Sequence, residues 1–371
     1  MNSPLLRGSW RVMTIMGIPI RIHFSWLIIF GLITWSLSEF YFPQAAPDLP
    51  TASYWLKGVL AALLLLISVA LHELAHSFVS LHYRIPITGI TLFIFGGVSE
   101  MKGEPQTPRA ELTIAMAGPL SSFLLSAIFF LLSAATEGQG MKALYAYVAR
   151  LNLILGIFNL IPGFPMDGGR VLRSIIWRKK NDFLYATRKA SGFGQKVALF
   201  FIFSGLLSVF AGFPGGIWMM LIGWFLFTAA QASYQQVSLQ EALAGVRVRD
   251  VMVRDIVTIS PSTTLAEAVD LFFLRYGYGG FPVFDDGRLL GMLTLKEVKD
   301  VPREDWQTLT VADVLVPHSK RWEISPESTV MQALEIMIAE DRGRLVVTEN
   351  DRVAGLITRN GIAQYVQLMR R

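Results

Sequence analysis

From Gly58 to Val79 the chain reads GVLAALLLLISVALHELAHSFV, an apolar run long enough to cross a bilayer. In lipid only helices and closed barrels satisfy every backbone N–H and C=O, so a run of this length is predicted to be a helix. Comparable runs lie at Phe24–Phe40, Leu112–Ala135, Leu144–Ile161, Val197–Phe213 and Gly216–Ala230, giving about six spans. Side chains that are 53% hydrophobic and only 16% charged exclude an ordinary soluble enzyme for this part of the chain.

The formal net charge of +5 has a topological explanation. Arg7, Arg11 and Arg21 precede the first run; Arg84, Lys102 and Arg109 follow the second; Arg173, Arg178, Lys179, Lys180, Arg188 and Lys189 follow the fourth. The loops SEFYFPQAAPDLPTASYW and TEGQGMK are nearly free of cations. The positive-inside rule therefore places both termini in the cytoplasm of a multi-pass cell-membrane protein, and these cations imply no nucleic-acid partner. The N-terminal segment has no small-residue cleavage site, so the first run is predicted to remain as a span.

Two histidines and a glutamate stand in the middle of the second run. His72 and His76, four residues apart, lie about 40° apart on one helix face and can reach one ion. Glu73 is beside them, able to touch a water on that ion without ligating it. Cysteine is absent, so a metal here is held by imidazole, carboxylate or carbonyl groups. A charged group at bilayer depth costs roughly 2.5 kcal/mol or more, which argues for a role beyond packing. His23, His82 and His318 are instead predicted to be interfacial or surface residues.

A catalytic zinc site wants a third protein ligand and an open position. NLIPGFPMDGGR, Asn159 to Arg170, offers Asp167 where Pro162 and Pro165 break the fourth span and Gly168 with Gly169 let the backbone turn. Irregular backbone at membrane depth is tolerated where it lines a wet cavity, as an active site does. The segment Ile87 to Pro105, ITGITLFIFGGVSEMKGEP, is too short and Gly-interrupted for a span. It is predicted to be a re-entrant strand or hairpin whose edge pairs with unwound substrate by strand addition.

After Gln231 the composition becomes that of a soluble domain, and a repeat appears. VRDVMVRDIVTISPSTTLAEAVDLF is echoed by VADVLVPHSKRWEISPESTVMQALEIM, and FPVFDDGRLLGMLTLKEV by RLVVTENDRVAGLITRNGI. Each copy reads as a short strand, a helix, two β-branched strands joined by a turn and a second helix. Thr263 and Ser328 are placed to cap the first helix of each copy. The expected fold is an α-helical polytopic membrane domain over 1–235 with a re-entrant β segment, a linker over 236–247 and a cytosolic α/β module of two copies, 248–308 and 309–371.

Taken together, HELAH, NLIPGFPMDGGR, the N-terminal GIPIRIHFSW and the tandem repeat resemble the site-2 protease family of intramembrane zinc metallopeptidases. The likeness is to its prokaryotic branch with a fused pair of cystathionine-β-synthase-type (CBS) domains. It implies one Zn2+ bound by His72, His76 and Asp167, with Glu73 as general base and Asn159 orienting the scissile peptide or its oxyanion. Met166 stands where the family often has leucine, a swap of similar volume. The CBS likeness implies an adenine nucleotide contacted by Thr294 and Thr358, although Glu297 and Gly361 occupy the positions where aspartate is expected. The implied partners are a single-span membrane substrate, a regulatory membrane protein and a second copy joined through the CBS pair. The alternative from a different class is a CBS-gated channel or transporter whose ion path is lined by the same buried His, Glu and Asp.

Overall fold

The computed structural model describes residues 8–94, 96–101, 103–350 and 352–369; Arg7, Phe95, Lys102 and Asp351 lie outside the described residues. The chain divides into two compact units, one running to Ser238 and the other beginning at Leu239.

The first unit is built on helices α1 (Ser25–Ala45), α2 (Thr51–His82), α3 (Pro108–Ala135), α4 (Gln139–Asn159), α5 (Asp167–Lys180), α6 (Phe183–Phe210) and α7 (Gly216–Ala242). All but α5 are long and apolar enough to cross a membrane. Large apolar side chains such as Leu124, Phe130, Leu131, Phe200 and Phe203 are exposed, whereas the buried positions of α2 and α3 are rich in Gly, Ala and Ser. That division is the one lipid selects: apolar bulk gains nothing by leaving the tails, and small residues let helices approach. Arg173, counted above among flanking cations, is buried and paired with the buried Glu111 of α3. A cation on the inner face of α5 therefore ties two helices together.

Four strands form one sheet in the order β1 (Ser9–Ile15), β2 (Ile18–His23), β3 (Ile87–Phe93), β4 (Gly96–Met101). β2 and β3 are parallel; the other two pairs are antiparallel. The hairpin of β3 and β4 falls within the segment predicted to be a strand or hairpin. The first pair was not predicted, although its turn is written in the sequence: Met16 and Gly17 both have positive φ, 50° and 81°, as a two-residue hairpin loop requires. Ile18, Ile20, Ile90 and Leu92 pack with Leu74 of α2, laying the sheet beside the HELAH segment. β4 is left as an edge strand among the described residues.

The second unit holds two three-stranded sheets. One is β5 (Gly280–Asp285), β6 (Arg288–Thr294) and β7 (Val316–Pro317); the other, in the order β10-β9-β8, is β8 (Glu323–Ile324), β9 (Arg344–Glu349) and β10 (Arg352–Thr358). Its helices include α8 (Leu265–Ala268), α9 (Leu295–Lys299), α10 (Val330–Ala339) and α11 (Arg359–Met369). The caps of α8 and α10 are Thr264 and Thr329, one residue beyond the predicted Thr263 and Ser328. The reason is reciprocal: only from those positions do Glu267 and Gln332 stand three residues on and close a capping box.

The two copies also exchange their openings. Val248 packs in the core of the second copy with Val330, Leu345 and Ile357, while Val311 packs in the first with Ile259, Leu265 and Val283. Within the segment 236–247, expected as a linker, α7 continues to Ala242, and Leu239 and Leu243 pack against the second core. These leucines are four residues apart and share a helix face.

Candidate metal centre

The centre is assembled from three helices. His72 and His76 project from one face of α2, and Asp167 is the first residue of α5. Nε2 of each histidine lies 3.1 Å from Oδ2 of Asp167, and the two Nε2 atoms are 3.2 Å apart. Both histidines are buried, and the Asp167 side chain is 14% exposed.

The imidazoles are oriented from behind. Nδ1–H of His76 donates to the carbonyl of Ile114 at 2.7 Å, which leaves the neutral ring's Nε2 as a bare lone pair. Nδ1 of His72 lies 2.9 Å from Oγ of Ser122. Both partners belong to α3, so this helix sets the rings that α2 carries. With the His72 ring in the same tautomer, donating Nδ1–H to Ser122, three acceptor atoms converge about one point, an arrangement that a divalent cation satisfies. Zinc–ligand distances of about 2.0–2.1 Å in a tetrahedron would separate the donors by roughly 3.3 Å, so the set fits zinc.

Gly118 of α3 makes the approach possible, because a Cβ there would run into Nε2 of both histidines. A Cβ at Gly97 of β4 would likewise collide with the Glu73 side chain, so the edge strand lies directly against the carboxylate. Oγ of Ser77 and Oγ of Ser99, 2.9 Å apart, join α2 to the same strand. Gly168 and Gly169, expected to allow a sharp turn, are instead helical and pack closely on the backbone of Leu160 and Gly163.

These groups open on a cavity of about 390 Å³. Glu73, Asn159 and Arg170 lie in its wall with the three donors, and Gly96 to Ser99 of β4 form another side. Asn159 is the last residue of α4. The ion pair behind the centre is equally specific. Arg173 donates from Nε to Oε1 of Glu111 at 2.5 Å and reaches Oε2 of Glu104 at 3.2 Å, with its guanidinium 4.4 Å from the Phe183 ring centroid. Ser122, the Ile114 carbonyl, Gly118 and Glu111 were not among the residues singled out from sequence, and Arg173 was there only as a flanking cation. The Gly118–Pro119 step inside an apolar span was the available signal.

The two CBS threonines are not brought together in the same way. Thr294 lines a cavity of about 470 Å³ between the copies, with Lys296, Trp322, Arg342 and Arg344, and Thr358 is not among its lining residues. Thr294 caps α9, and Glu297 accepts from its backbone N–H at 3.1 Å and from its hydroxyl. His318 pairs with Glu323 at 2.6 Å, and His23 with Ser25 at 2.8 Å, both far from a metal-ligand role.

Two helix-borne imidazoles, a carboxylate from a second helix and an adjoining glutamate, set among spanning helices, define a metal-dependent hydrolase built into a membrane domain. Comparison with known proteins gives this class its family. The profile described as Peptidase family M50 matches residues 60–142 and 133–205, and that described as CBS domain matches 248–304 and 311–368. Rip3 of Mycobacterium tuberculosis, a candidate zinc metalloprotease by its name, is 36% identical over 363 residues, covering 96% of this chain and 92% of its own. Zinc metalloprotease MJ0392 of Methanocaldococcus jannaschii is 31% identical over 363 residues, covering 97% of each chain. A solved site-2 protease structure from the same archaeon covers 61% of this chain and 95% of its own at 35% identity, with a TM-score of 0.43. The chain belongs to peptidase family M50, the site-2 proteases, in the branch that carries a C-terminal CBS pair. It is a metalloendopeptidase and a multi-pass membrane protein, and the transporter alternative falls away.

Proposed function

We propose that this enzyme cuts single-span, membrane-anchored proteins inside their transmembrane segment, in regulated intramembrane proteolysis. The observation that carries the reading is the cavity in which His72, His76, Asp167 and Glu73 share a wall with the edge strand β4. His72, His76 and Asp167 would hold zinc, which supplies a Lewis acid for the peptide carbonyl and lowers the pKa of a coordinated water. Glu73 takes the proton from the attacking water and returns it to the leaving amine. Asn159 orients the scissile carbonyl from the end of α4. Phe93, Leu155, Phe158 and Phe225 line the same cavity and restrict the water that reaches it.

A helical substrate hides its carbonyls in hydrogen bonds, so cleavage requires an extended segment. The edge of β4, unpaired among the described residues, would hold that segment by strand addition, dipping into the bilayer beside the metal. With both termini in the cytoplasm, His72 would lie about ten residues from the inner boundary at Tyr83, or roughly 15 Å deep. In the CBS pair, the cavity at Thr294 would take an adenine nucleotide, with Arg342 and Arg344 supplying cations for its phosphates. The pair would also join two copies and answer to a regulatory membrane partner.

The test is a single-span reporter incubated with the purified enzyme in liposomes. Glu73→Gln keeps the donor set and removes the base, so it should retain about one zinc per chain while cleavage falls roughly 100- to 10,000-fold. Undiminished cleavage by this variant would overturn the assignment.

A further inference from the structure

A second feature lies on the opposite side of α5 from the metal chemistry. α5 ends in Arg178, Lys179 and Lys180, the chain reverses through Asn181 in the left-handed region, and Asp182 caps α6 by accepting from the Tyr185 N–H at 2.7 Å. Between the two helices is an open cavity of about 800 Å³. Its rim carries five cations, Lys179, Lys180, Arg188, Lys189 and Lys196, and no carboxylate lines it. None of the five forms an ion pair among the described residues. The floor is apolar, made by Leu172, Ile176 and Phe193, with Phe193 44% exposed.

A solvated basic surface needs no such floor, and a greasy groove needs no such rim. The combination occurs where the apolar run of α6, Val197 to Phe210, gives way to the charged sequence before it. That is the level at which lipid phosphates meet acyl chains, and basic recesses beside spanning helices attract anionic headgroups there. The volume lies in the range of small-molecule sites. We propose that the α5–α6 hairpin binds an anionic diacyl phospholipid, with its phosphate among the five cations and the upper part of an acyl chain against Leu172, Ile176 and Phe193.

Gly192 provides a control that leaves charge untouched. It lines the cavity, and a Cβ added there meets nothing within 4 Å, so a larger side chain can enter the cavity without displacing the protein. The experiment titrates the full chain in mild detergent with phosphatidylglycerol or phosphatidylcholine and reads bound lipid by native mass spectrometry. Phosphatidylglycerol should bind at least about tenfold more tightly, and each cation removed from the rim should weaken it roughly fivefold. Lys179→Gln, Arg188→Gln and Lys196→Gln combined should therefore abolish the preference, Gly192→Leu should weaken binding with the charges intact, and Arg178→Gln, outside the cavity, should do neither. Equal binding of the two lipids would overturn the proposal. Soluble glycerophosphate competing as strongly as the lipid would do the same, since the floor would then be idle. An acidic peptide that binds more tightly than phosphatidylglycerol, with the same pattern of variants, would assign the surface to a protein segment instead.

Discussion

The metal centre and the cavity of the CBS pair are both announced by short motifs, yet only at the first do the motif residues converge. His72, His76 and Asp167 come within 3.2 Å of one another, whereas Thr294 lines the tail cavity and Thr358 does not. The difference lies in the surroundings. Among spanning helices an unpaired polar group is costly, and several buried ones are held by a partner on another element: His76 by the Ile114 carbonyl, Asn152 by Ser68, Glu111 by Arg173. Motif and geometry are then nearly the same thing. In the tail a threonine hydroxyl can be satisfied by a helix N-terminus or by water, and Thr294 has taken the former. A motif there says less about what is bound.

The sharpest way to break this contrast is to remove one donor. Asp167→Ala should reduce zinc from about one per chain to less than a tenth, with cleavage lost along with it, since two imidazoles alone leave the ion without its anionic ligand. Metal analysis of the purified variant checks this, and full occupancy would place the third donor elsewhere. Next comes the buried pair. Arg173→Met leaves Glu111 charged and enclosed, which should cost about 3–5 kcal/mol in detergent unfolding. The double variant with Glu111→Leu should recover most of that, and a single variant as stable as the parent would show that the pair is solvated.

What could be read from sequence follows the same division. The six long helices were legible because lipid allows few alternatives, and His72 with His76 because a helix places positions four apart on one face. Asp167 was legible because a broken span beside that pair suggests a cavity. The orienting contacts were not: the partners of His72 and His76 are 50 and 38 residues away in sequence, and nothing local announces which carbonyl or hydroxyl a ring will meet. Arg173 was misread for a related reason, since flanking and tying cations look identical until Glu111 is found to be buried opposite. In the tail, two similar copies made it impossible to tell which core Val248 and Val311 would enter.

Smaller substitutions sharpen the comparison further. Ser122→Ala removes one orienting contact and leaves all three donors, so zinc affinity should fall roughly 10- to 100-fold, measured by competition with a chelator. An unchanged affinity would mean that α3 positions His72 by packing alone. The smallest effect is expected in the tail. Thr294→Ala dismantles a capping box on α9 and should cost about 1 kcal/mol, seen as roughly fivefold faster hydrogen exchange at the amides of α9 and β6 in the full chain. Thr358→Ala should cost less, because Thr358 accepts only the Gly361 N–H at 3.0 Å and has no acidic side chain to complete the box. Equal costs for the two threonines would remove the structural role that now accounts for Thr294, and a ligand in its cavity would become the better explanation for its position.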